Sequence, residues 1–80
     1  MTDYIPTELD KKWLRATFSL LNVGGMWGTS WAIYKKIDHN TIEVVETNKY
    51  MSNIEENIAR TKVVAESIGL TFIDKRERVN

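Results

Sequence analysis

The sequence predicts a small α+β domain in the order helix-strand-strand-helix-strand, a three-stranded sheet with both helices on one face. Three observations carry this expectation. Apolar residues recur at helical spacing over residues 9–21 and again over 54–68, while the period drops to two over residues 27–37 and 42–45. Asparagine and glycine punctuate the chain at Asn22, Gly24, Gly25, Asn40 and Gly69, where helices and strands must end.

The first helix begins at Thr7, whose hydroxyl can cap it, and Glu8 and Asp10 place carboxylates in the first turn where the helix dipole favours them. Leu9, Trp13, Ala16, Thr17 and Leu20 form one stripe, and Leu14, Phe18 and Leu21 an adjacent one. That apolar arc is wide. A helix with so broad a face either sits against a sheet and another helix or gives part of its face to a partner. Gly24 and Gly25 tolerate positive φ and stop the helix.

One extended strand is predicted from Met26 onward, with Trp27, Thr29, Trp31, Ile33 and Ile37 on the core face. Gly28, Ser30, Ala32, Tyr34 and Lys36 fall on the other, open face. A two-residue loop at His39 and Asn40 leads into "TIEVVET" and sets Ile37 opposite Ile42, Lys36 opposite Glu43 and Tyr34 opposite Val45. A slip of one residue would put Lys36 against Ile42.

The second helix is predicted from "SNIE", Ser52 to Glu55, which has capping-box spacing, through Ile54, Ile58, Thr61, Val64, Ala65 and Ile68 to Gly69. Removing the Ser52 hydroxyl should then cost about 1 kcal/mol. "LTFID" reads as a last strand, parallel to the second because a helix joins them, and placed beside the first. Residues 1–6 and 75–80 are expected to fray at the ends of a single 1–80 domain.

Eighty residues without a cysteine have neither a disulfide staple nor a thiolate ligand, so a homodimer is a fair expectation for added stability. Eleven basic and eleven acidic residues cancel, which removes the generic attraction to phosphate backbones. The chain carries no apolar run of membrane-spanning length and no basic-then-apolar leader, so a cytoplasmic protein with no membrane partner is expected.

Chemistry-bearing patterns are few. His39 is the only histidine and falls in a turn, beside Asp38 but pointing the opposite way if both were in a strand. A metal would need further nitrogen, sulfur or clustered oxygen ligands, so no metal or other cofactor is expected. "GMWG" fits a GxxG nucleic-acid clamp in spacing, yet it leads into a strand and holds no basic residue.

The expected function is therefore non-catalytic: a compact accessory or inhibitory factor that binds another protein. Its size is consistent with phage or microbial origin, an association rather than a physical inference. The candidate partner-binding residues are Ser30, Tyr34, Lys36, Glu43 and Val45 on the open sheet face, with Trp27 at the beginning of the strand beside Gly25 and Gly28. On this reading Trp27→Ala or Tyr34→Ala removes binding and spares the fold. One alternative is a single-stranded nucleic-acid module in which Lys35, Lys36, Lys75, Arg76 and Arg78 converge beside Tyr34 or Phe72. The other is a small-molecule binder at a dimer seam.

Overall fold

The structure, a computed structural model, describes residues 4–74 of the chain. The elements run α1 (Glu8–Leu20), β1 (Met26–Gly28), β2 (Ala32–Asp38), β3 (Thr41–Thr47), α2 (Ile54–Ser67) and β4 (Thr71–Asp74). They build an α+β fold in which two helices share a core with a four-stranded mixed sheet of order β1-β2-β3-β4. The sheet thus has one strand more than the pattern predicts.

The extra strand arises because "GTSW" is a turn. Thr29 Oγ accepts the backbone N–H of Trp31 at 3.2 Å and of Ala32 at 3.0 Å, and the Thr29 N–H closes on the Ala32 carbonyl at 2.8 Å. A hydroxyl that satisfies the amides two and three residues on competes with an extended backbone. The chain therefore reverses. β1 folds back antiparallel onto β2, with Trp27 opposite Tyr34.

This reversal corrects the predicted faces. Counting by twos through residues 29–31 assigns Trp27 and Ile33 to one side, but pairing places Trp27 with Tyr34 instead. Ala32, Tyr34 and Lys36 are buried beneath the helices, while Ile33 and Lys35 face away.

The turn at His39 and Asn40 forms as expected, stapled by the Asn40 N–H on the Asp38 carboxylate at 2.8 Å. The register beyond it differs: Lys36 pairs with Ile42, Lys35 with Glu43 and Tyr34 with Val44. Two bulges account for this, one leaving Ile37 without an opposite residue on β2 and one leaving Val45 so on β3. The opposite-charge pair survives with Lys35 in the place of Lys36.

β4 runs parallel to β3, as the helical connection requires, but lies directly beside it, not beside the strand formed by residues 32–38. The reason is geometric. β1 already occupies the free edge of β2, and α2, about 21 Å long at 14 residues, matches the roughly 23 Å of the seven-residue β3 and returns the chain to its start.

Thr7 caps α1 in a full capping box with Asp10. The corresponding box at Ser52 does not form. Asn53, in the left-handed conformation at φ 58°, is the N-cap of α2 and makes no side-chain cap bond, while the Ser52 carbonyl accepts from the Trp31 indole at 3.1 Å. The left-handed backbone at Asn53, where a capping residue is ordinarily extended, is outside the geometry the box needs. Gly69, at φ 87°, ends α2 as expected.

The core comprises Leu14 and Phe18 of α1, Ala32 and Tyr34 of β2, Ile42 and Val44 of β3, and Ile58, Val64 and Ala65 of α2. The helical periods of both helices are thus real. Of the two stripes on α1, only the one through Leu14 and Phe18 is buried.

Candidate functional site

The six residues singled out from the sequence do not share a surface. Tyr34 is 2% exposed and Lys36 5% exposed, so the open small-residue face expected there is the covered face of the sheet. Trp27 is half-buried, stacked on Tyr34 with ring centres 5.3 Å apart and edge-on to Phe18 at 6.5 Å. Its indole N–H is buried with no acceptor. Tyr34 donates its hydroxyl to Thr61 on α2 at 3.2 Å. These rings are packing anchors, and the expectation that truncating Trp27 or Tyr34 spares the fold is revised accordingly.

Ser30 lies exposed in the β1–β2 turn, where its carbonyl accepts from Asn48 at 3.3 Å. Glu43 is half-buried opposite Lys35 on the uncovered sheet face, and Val45 is half-buried at its bulge.

Large apolar groups meet solvent singly at Ile5, Val23, Met26, Ile33 and Tyr50, and as an aligned set on α1. Leu9 is 75%, Trp13 53% and Leu20 85% exposed, and with the exposed Ala16 they follow the spacing i, i+4, i+7, i+11 along one line of the helix. This is the second of the two stripes, left outside because Leu14 and Phe18 already fill the contact with the sheet. The sequence did carry its signal: an apolar arc too wide for one buried face. Its residues were missed as site candidates because a stripe cannot say which half of the arc is buried.

Trp13 joins this stripe to a cleft of about 240 Å³ between α1 and α2, shared with Tyr4, Asp10, Asn57, Arg60 and Thr61. Its polar groups are mutually positioned. The Tyr4 hydroxyl donates to the Asp10 carboxylate, which also accepts the Thr7 N–H at 3.1 Å. The Tyr4 bond and then the Thr7 N–H hold Asp10 below the usual carboxylate range, and the same bond to Asp10 raises the Tyr4 phenol. Arg60 lies over the Tyr4 ring, 5.4 Å from its centre, and pairs with Glu56 at 3.0 Å. A large indole beside a fixed guanidinium and carboxylate offers both apolar area and directional polar contacts.

The groups weighed for chemistry are elsewhere. Asp38 is engaged with the Asn40 N–H, which depresses its carboxyl, and His39 is exposed in the turn. Among the described residues no three His, Asp or Glu side chains gather into a metal-binding cluster. The expected basic convergence fails for the described residues: Lys36 is buried, and β4 lies at the edge of the sheet opposite β1. Lys75, Arg76 and Arg78 lie outside the described residues. No described helix is long and apolar enough to cross a membrane.

Compared with protein-family models, curated proteins and solved structures, the chain gives no match.

Proposed function

We propose that this chain is a non-catalytic protein-binding module that works through the outer face of α1. The observation that carries the reading is the exposed line Leu9, Trp13 and Leu20 on a helix whose other apolar stripe is already buried. Isolated exposed apolar residues are ordinary on protein surfaces, but an aligned set adjoining a cleft is a feature of contact sites. The partner is a protein presenting an apolar helix or groove, with Trp13 as the central anchor.

Magnitudes set the strength. Burying each of the three side chains is worth about 1.5–3 kcal/mol, against roughly 4–15 kcal/mol lost in association, so the stripe alone supports a reversible complex. Polar contacts in the Arg60 cleft would supply selectivity more than affinity.

The test is a Leu9→Ser/Leu20→Ser variant, whose substitutions fall on exposed positions and should leave the far-UV dichroism and urea midpoint unchanged. A protein captured from the native host by wild type is purified and titrated against both forms. Binding to wild type that the folded variant lacks supports the reading; equal binding overturns it. A wild-type dimer in light scattering that the variant abolishes assigns the stripe to self-association instead.

A further inference from the structure

A second cleft, of about 560 Å³, opens at the other end of α1, where the helix terminus meets the β2–β3 turn and the segment leaving α2. It shares no residue with the Trp13 cleft. Three basic side chains, Arg15, Lys36 and His39, line it, and no aspartate or glutamate does. In a chain whose basic and acidic residues balance at eleven each, that segregation of charge is local.

Lys36 is the decisive residue. Its ammonium is held inside the fold by the carbonyl oxygens of Phe18 at 3.0 Å and Leu21 at 2.9 Å, and it forms no ion pair with a carboxylate among the described residues. A lysine ammonium has three N–H donors; these two bonds take two of them, and the group also lies 4.6 Å from the centre of the Phe18 ring. A buried cation without a full anionic counterpart is costly, and an anion placed in the cleft would relieve that cost. Arg15 and His39, both exposed, stand at the same cleft with donors of their own. The Asp38 carboxylate, adjacent in sequence to His39, accepts the Asn40 N–H and also interacts electrostatically with His39, though it does not line the cleft.

The rest of the lining is mixed, with Ser19, Asn22 and Asn40 polar and a larger apolar share. Leu21, Val23, Ile68 and Leu70 line the cleft beside the basic groups. A bare inorganic ion would leave that surface wetted, and a neutral hydrocarbon would leave the cations unanswered.

We propose that this cleft is a binding site for a small organic carboxylate with an aliphatic body. The carboxylate meets the Lys36 ammonium and the Arg15 and His39 donors, and the hydrocarbon covers Leu21, Ile68 and Leu70. The inference is independent of the α1 docking surface, and its failure would leave that surface untouched.

Octanoate, octanol and inorganic phosphate serve as probes, titrated into the full chain by calorimetry, with backbone amide shifts to locate the site. Octanoate is expected to saturate at one molecule per chain and to shift the amides of residues 21–23, 39–40 and 68–70. Octanol and phosphate, each lacking one half of the recognised chemistry, should bind about tenfold more weakly or worse. Arg15→Gln/His39→Gln, on exposed positions, should keep the wild-type thermal midpoint without ligand and weaken octanoate by about fivefold or more, the loss of charge-assisted bonds. Octanol or phosphate binding as tightly as octanoate overturns the proposal. So does a folded double variant with wild-type octanoate affinity, or amide shifts centred elsewhere.

Discussion

The ammonium of Lys36 donates to the backbone carbonyl of Phe18 at 3.0 Å and lies 4.6 Å from the centre of the same residue's ring. The last turn of α1 contains no basic residue of its own, so a strand lysine supplies the positive charge that the helix C-terminus favours. Sheet and helix are thereby joined through a group that most sequences keep at the surface. This bond also explains the hairpin register, since the bulge at Ile37 lets Lys36 face α1 while the turn at His39 and Asn40 is kept.

Replacing Lys36 with methionine should therefore destabilise the fold by about 2 kcal/mol, since two carbonyls at a helix end lose charge-assisted bonds while the desolvated charge is relieved only in part. Lys35→Met, on the uncovered face opposite Glu43, should change stability by less than about 0.5 kcal/mol. Urea denaturation of both variants checks the contrast. Equal effects would remove the special role of Lys36.

The two helix starts separate under mutation. Thr7→Ala breaks a formed capping box and should cost about 1 kcal/mol, whereas Ser52→Ala, where no side-chain cap bond exists, should stay within about 0.5 kcal/mol. Thermal or urea midpoints of the pair decide it.

Tyr34→Ala and Trp27→Ala should both lower the urea midpoint, Tyr34 by the larger amount, about 3–4 kcal/mol, because it is sealed in the core and bonded to Thr61. Trp27→Phe should cost markedly less than Trp27→Ala. It keeps a ring against Tyr34 and Phe18 and removes a buried N–H that has no acceptor.

Asp10 links stability to acid. Its carboxyl is depressed in the folded chain, so its contribution is complete above the ordinary carboxylate pKa and is lost as pH falls through the lower folded value. Tyr4→Phe removes the largest cause of the depression. In that variant, a side-chain carbon titration by NMR should show Asp10 moving up toward the ordinary value, and the acid-side loss of stability from this group should shrink. An unmoved Asp10 titration would mean that the hydroxyl does not bond it in solution.

Much of this structure is local and was therefore legible along the chain. The Thr7 cap, the period of both helices, the turn at His39 and Asn40 and the left-handed Gly69 depend on residues within a few positions of one another. The exposed α1 stripe was half legible, because Leu9, Trp13 and Leu20 visibly align, but alignment does not reveal which of two stripes the sheet will cover. The candidate residues Tyr34 and Lys36 were misplaced for a related reason: alternation gives relative sides, and its sign was carried through residues 29–31 as though they were extended.

The sequence by itself determined where α1 begins and where α2 ends, and that apolar surface exceeds what one helix face can bury. Tertiary structure alone decided which sheet face is covered, that β4 pairs with β3, and that Lys36 reaches the end of α1. Those outcomes turn on one hydroxyl-stapled reversal at Thr29 and two single-residue bulges, each of which inverts or shifts every side chain beyond it while leaving the local pattern unchanged.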